Sequence, residues 1–96
     1  MMDPNTQPLK DVINELLELY KLSEKIDEVT LMEQWQELMG KMIAQHTKKI
    51  YLNKRRLYIE VSSSVVRSEL ALAKSKIIEM LNKNFGRDIV HDIVLK

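Results

Sequence analysis

Cysteine is absent from the 96 residues. Disulfides and thiolate metal sites are therefore excluded, and the chain suits a reducing compartment. Glycine occurs only at Gly40 and Gly86. Neither a Walker A loop nor a dinucleotide fingerprint can be written with that pair, which excludes nucleotide hydrolysis by the usual phosphate cradle. No apolar run is long enough to span a bilayer. The polar residues 1–7 lack the apolar stretch of a signal peptide, so a cytoplasmic location with no membrane partner is expected. The two histidines, His46 and His91, stand far apart, and no metal or other cofactor is expected. Carboxylates are plentiful, but most fall on helix faces opposite the apolar stripes and read as solvated charges. Ser62, Ser63 and Ser64 precede a helix pattern and read as caps rather than nucleophiles. A non-enzymatic protein without a small-molecule substrate is expected.

What remains is enough for one domain, residues 8–96, behind a loose N-terminal arm of residues 1–7. Hydrophobic residues make up 45% and charged ones 30%, as in ordinary globular domains. The net charge of +1 hides a division. Residues 1–48 carry nine carboxylates against five lysines, a balance of −4. Residues 49–96 carry ten lysines and arginines against five carboxylates, a balance of +5. A basic half attracts phosphates. Equally, two solvated faces of one fold can attract each other.

The first apolar stripe, Leu9, Val12, Ile13, Leu16, Leu17 and Tyr20, has helical spacing. With Pro8 well placed to open it, a helix is predicted over residues 8–22. A second helix carries Val29, Met32, Trp35, Leu38, Met39 and Met42, with Ser23 or Thr30 as its cap and Gly40 ending it before a short turn through Gln45. The period then falls to 2. Ile50 and Leu52 share a face, as do Leu57, Ile59 and Val61, which predicts two strands. A hairpin turning at Lys54-Arg55 would pair Leu52 with Leu57, Tyr51 with Tyr58, Ile50 with Ile59 and Lys49 with Glu60. Lys-Arg is poor turn chemistry, and a register shifted by two keeps the same faces, so both registers stay open. Val66, Leu70, Ala73, Ile77 and Leu81 predict a long helix closed by Phe85 and Gly86. Residues 89–95, rich in β-branched side chains, predict a third strand. The order α-α-β-β-α-β defines an α+β fold in which a three-stranded sheet packs against helices on one face.

With Ile50, Leu52, Leu57 and Ile59 inward, Lys49, Tyr51, Arg56 and Tyr58 point out, and Lys54 and Arg55 stand at the tip. Cations that seek phosphate are thereby set beside rings on which bases stack. Tyrosine is also common in strands, and lysine protects edges, so the pattern has an ordinary explanation too. Arg67 and Lys74, seven residues apart, share a line of the long helix and extend the candidate nucleic-acid surface. Trp35 is either an interface anchor or, by its place in the stripe, core.

Several groups together carry a family resemblance. Trp35-Gln36-Glu37-Leu38-Met39-Gly40 is followed by Ile43-Ala44-Gln45-His46-Thr47, then by the hairpin ending Leu57-Tyr58-Ile59-Glu60-Val61. Next come Ser62-Ser63-Ser64-Val65-Val66-Arg67-Ser68-Glu69-Leu70, then Leu81-Asn82-Lys83-Asn84-Phe85-Gly86, and the terminal strand. Over nearly the whole chain this set resembles the DciA family of bacterial replication proteins. The resemblance implies a KH-like fold. It implies an adaptor that binds the DnaB-type replicative helicase and assists its loading on DNA, single-stranded DNA included, without ATPase activity of its own. The family's tryptophan falls on Trp35 and its H-T pair on His46-Thr47, the implied partner-binding residues. Its basic hairpin residues correspond to Lys54, Arg55 and Arg56. Many members carry a further basic extension, whereas this sequence stops at Lys96, so contacts housed there are expected to be missing. The Gly-x-x-Gly loop with which KH domains clamp nucleic acid is absent. Two alternatives stand beside this function: a protein-interaction module that never touches nucleic acid, and a KH-like RNA-binding protein.

Overall fold

The computed structural model describes residues 7–96. Of the expected arm, residues 1–6 lie outside the described residues. Gln7 is already the first residue of α1 (Gln7–Met39), a single helix of 33 residues and about 50 Å. The two helices expected before Gly40 are therefore one. Between them lies no proline or glycine, and the residues expected to cap a new helix sit inside the old one. Thr30 turns its hydroxyl back to the Ile26 carbonyl at 3.0 Å, as hydroxyls do within helices, and Ser23 is exposed.

The helix stops at Gly40, whose φ of 91° lies outside the range comfortable for a side chain. A short α2 (Lys41–Gln45) leads into β1 (Thr47–Asn53) and β2 (Arg56–Val61), followed by α3 (Ser64–Leu72), α4 (Lys74–Phe85) and β3 (Asp92–Leu95). The strand order is β1-β2-β3. The first pair is antiparallel and the second parallel, so β2 is central in a mixed sheet. The α+β order expected from the sequence holds, with each of the expected helical stretches redrawn.

The hairpin adopts the unshifted register: Leu52 faces Leu57, Tyr51 faces Tyr58, Ile50 faces Ile59 and Lys49 faces Glu60. Its turn has φ of 51° at Lys54 and 61° at Arg55, the backbone of a primed two-residue turn. Neither residue prefers that region, and tertiary contacts hold Arg55 there. Its N–H donates to the Glu24 carboxylate at 3.0 Å, and its carbonyl accepts from His91 N–H at 2.8 Å. Its guanidinium donates to the Asp88 carbonyl and lies 5.4 Å from the Tyr20 ring centre.

The long helix after the hairpin starts as expected: Ser63 caps it by accepting from Val66 N–H at 3.3 Å. It divides into α3 and α4 at Ala73 (φ −102°, ψ 8°). No proline or glycine marks the break, and the Ile77 N–H still reaches the Ala73 carbonyl at 2.9 Å. Gly86, left-handed at φ 71°, closes α4. Its N–H meets the Lys83 carbonyl while Arg87 N–H meets that of Asn82, a Schellman pair. The third strand is shorter than expected because Asn82 takes the backbone before it. Its Oδ1 accepts from Ile89 and Val90 N–H at 2.9 and 3.0 Å, and its Nδ2 donates to the Val90 carbonyl at 3.0 Å.

The core joins the inner face of the sheet (Ile50, Leu52, Leu57, Ile59, Val61, Ile93) to Leu31 and Trp35 of α1, Val66 and Leu70 of α3, and Ile77 and Leu81 of α4. Ile89 and Val90 complete it. Burial of this contiguous apolar set is the dominant stabilising term. The stripe of Leu9, Val12, Ile13, Leu16, Leu17 and Tyr20 does not join it; each of these remains 40–60% exposed. The N-terminal half of α1 overhangs the sheet instead. The radius of gyration is accordingly 17.2 Å, against about 12 Å for a compact chain of this length.

Candidate nucleic-acid interface

All helices pack on one face of the sheet, which leaves the other open. Strand alternation puts Lys49, Tyr51 and Asn53 of β1 on the open face, with Arg56, Tyr58 and Glu60 of β2 and Asp92 and Val94 of β3. The cross-strand pairing aligns Tyr51, Tyr58 and Val94 in one row, and Asn53, Arg56 and Asp92 in the next. The tyrosine rings stack in parallel, 4.6 Å between centres and 3° between planes, within the favourable range for aromatic pairs. Each ring gives one face to the other.

Two ammonium groups surround this pair. Lys49 Nζ lies 5.3 Å from the Tyr51 ring centre. Lys96 Nζ lies 5.6 and 5.3 Å from the centres of Tyr51 and Tyr58 and donates to the Tyr51 hydroxyl at 3.0 Å. That hydrogen bond holds the Lys96 amine above its ordinary value. All three distances are within cation–π reach. The cations of the face, Lys49, Arg56 and Lys96, outnumber its carboxylates, Glu60 and Asp92, by one. Lys96 did not figure among the sequence candidates, although the alternation Asp92, Val94, Lys96 points it outward.

Of the other candidates, Lys54 is exposed at the tip. Arg55 turns away from the open face toward α1 and Asp88. Arg67 donates to the Val61 carbonyl at 3.1 Å, which ties it to the end of β2. Lys74 opens α4, in the helix layer. The structure thus gathers Lys49, Tyr51, Arg56 and Tyr58 with Lys96, sets Lys54 at the margin, and separates Arg55, Arg67 and Lys74 from them. Arg87 is also committed. It forms an ion pair with Asp27, whose side chain is only 8% exposed, and the bond to that carboxylate raises the guanidinium above its already high value.

The candidates for partner contact form a joint. Trp35 is 5% exposed and lies in the core. Its Nε1–H donates to Thr47 Oγ1 at 3.0 Å, and that hydroxyl donates to the Ile43 carbonyl at 2.7 Å. His46 Nδ1 lies 3.3 Å from Ser62 Oγ, and the His46 carbonyl accepts from Ser62 N–H at 2.8 Å. Trp35, His46 and Thr47 hence fasten α1 and α2 to the start of the hairpin. Burial leaves Trp35 no face with which to anchor a partner.

A hollow bordered by Tyr20, Glu24, Asp27, Leu52 and Arg55 measures about 10 Å³, space for a single water. Among the described residues no cluster of three His, Asp or Glu side chains could hold a metal ion, and no helix is long and apolar enough to cross a membrane.

Fold and surface together define a small α+β domain with helices on one side and an open aromatic–basic sheet on the other. The sequence profile described as "Dna[CI] antecedent, DciA" matches residues 8–95, and the chain belongs to the DciA family. That family is associated with loading of the DnaB-type replicative helicase. No curated protein matches the sequence.

Proposed function

We propose that this protein is a non-enzymatic adaptor of DNA replication, which binds the replicative helicase and assists its loading while touching nucleic acid weakly through its open sheet face. Family membership supports the helicase half of this reading. The observation that carries the nucleic-acid half is the stacked Tyr51–Tyr58 pair with Lys49 and Lys96 beside it on the helix-free face. A base can stack on the ring faces not used by the pair, and the ammonium groups can meet the flanking phosphates. Weak affinity follows from Glu60 and Asp92, which cancel most of the face's positive charge. Single-stranded DNA is the favoured form, since its bases are free to stack, and the cytoplasm is the matching location.

The test is titration of short single-stranded DNA at several salt concentrations. Tyr51→Ala with Tyr58→Ala should weaken binding about five- to a hundredfold for each base stack lost. Lys49→Glu with Lys96→Glu should also reduce the salt slope by about 1.4, for two phosphate contacts on a single strand. Unchanged affinity in both variants would refute the face as the site.

The second reading, a protein-interaction module without nucleic-acid binding, has an observation of its own. The Tyr51–Tyr58–Lys96 cluster is satisfied internally, with Lys96 bonded to Tyr51. It predicts co-elution with the helicase regardless of the lysine reversals and no DNA affinity at moderate salt. Competition by RNA of matched sequence separates a DNA reader from an RNA reader.

A further inference from the structure

The overhanging half of α1 presents an apolar surface that the folded body does not use. Leu9, Val12, Leu16, Leu19, Ser23 and Ile26 follow one another at alternating steps of three and four residues, the a and d positions of successive heptads. The five apolar members are each 52–61% exposed. The seam is distinct from the line of Asp27, Leu31 and Trp35 that docks on the sheet, and it stays open where α1 runs beside the folded body, at Ile26. Ile13 and Tyr20 flank it on one side, Glu15 and Leu22 on the other. Lys10, Asp11, Asn14, Glu18, Lys21 and Lys25 occupy most of the far side of the helix, which also carries the exposed Leu17.

We propose that this seam pairs with the same seam of a second copy as an antiparallel two-helix coil. The spacing is self-complementary about a two-fold axis between Leu17 and Glu18. Leu9 meets Ile26 of the other copy, Val12 meets Ser23, and Leu16 meets Leu19, each pair occurring twice, as an isologous interface requires. Every layer then holds at least one branched apolar side chain, and Ser23, the polar seam position, faces Val12. A parallel pairing would put Ser23 against Ser23 and both folded bodies at the same end. In the antiparallel pairing Ile13 flanks Tyr20 and Glu15 flanks Leu22, so no like charges face each other. The exposed seam and flanks would bury roughly 600 Å² per copy, at the lower edge of stable protein interfaces. Residues 8–28 carry six carboxylates against three lysines, which disfavours nucleic acid or an anionic membrane as the occupant.

Sedimentation equilibrium of the full chain tests this. Dimers are expected at ~100 µM, the range such an area supports. Leu16→Glu with Leu19→Glu should weaken association at least about a hundredfold while thermal unfolding stays unchanged, because neither residue touches the core. A wild-type chain that stays monomeric, or a double variant that still dimerises, would overturn the proposal. Orientation has its own readout, since the chain holds no cysteine. A mixture of Val12→Cys and Ser23→Cys proteins should form the mixed disulfide on oxidation. Ser23→Cys alone should not cross-link, its two copies lying about 16 Å apart along the axis. Cross-linking of Ser23→Cys alone, without the mixed species, would overturn the antiparallel arrangement.

Discussion

Arg87 and Asp27 form an unequal pair, and the inequality predicts which partner the protein can lose. Asp27 projects from α1 under the loop that follows α4, with its side chain 8% exposed, whereas that of Arg87 is 49% exposed. Removing the cation strands a carboxylate in the interior. Removing the carboxylate frees a guanidinium that can turn into water. Arg87→Met, which keeps the aliphatic stem, should cost about 2–3 kcal/mol, the penalty for a buried acceptor losing a charged partner. Asp27→Asn, nearly isosteric, should cost only about 1 kcal/mol, one ordinary hydrogen bond exchanged for water. In a domain of this size these correspond to melting-point losses of about 10–20 °C and about 4–8 °C. Asp27→Leu with Arg87→Met should recover most of the loss, since an apolar pair of similar volume commonly replaces a buried ion pair without penalty. Chemical denaturation at neutral pH with an unchanged m-value is the assay. Equal costs for the two single variants, or a larger cost for Asp27→Asn, would refute the reasoning.

Asn82→Ala removes three hydrogen bonds from the backbone of Ile89 and Val90, both almost wholly buried. It should cost about 2–4 kcal/mol, and amide exchange at Ile89 and Val90 should accelerate before that of β1 or β2 does. Lys54→Asn places a residue tolerant of positive φ in the first turn position. It should raise stability by about 0.5–1 kcal/mol, read as a higher denaturation midpoint; a loss of stability would mean that the Lys54 side chain makes a contact beyond its backbone strain.

Much of the architecture was legible because periodicity survives in short elements. The strands of the hairpin and their inward residues follow from alternation, whereas the choice of Leu52–Leu57 and Tyr51–Tyr58 as partners, over a register shifted by two, is made only in the fold. The cap at Ser63 and the left-handed close at Gly86 follow from local chemistry that needs no neighbours. The W, H and T of the family signature were legible as a group but not in their role. Only the fold shows Trp35, His46 and Thr47 as a joint, since a buried tryptophan and an interface tryptophan have the same spacing. The open face was half legible. Tyr51, Tyr58, Lys49 and Arg56 follow from alternation, while the arrival of Lys96 beside them depends on β3 pairing parallel to β2.

The amino-acid sequence by itself determined where the chain turns from helix to strand, which side of each strand is apolar, and that no phosphate-cradling loop or thiolate site can form. Those properties rest on neighbours a few residues away. Tertiary structure alone decided that one helix would run through Ser23 and Thr30, that Arg55 could hold an unfavourable turn, that Arg67 and Arg87 would be spent on internal partners, and that the stripe from Leu9 to Tyr20 would stay in solvent. Each of these depends on surfaces distant in the chain. Helical spacing makes a stripe apolar, but burial needs a facing surface, and the sheet is too small to supply one along the whole length of α1.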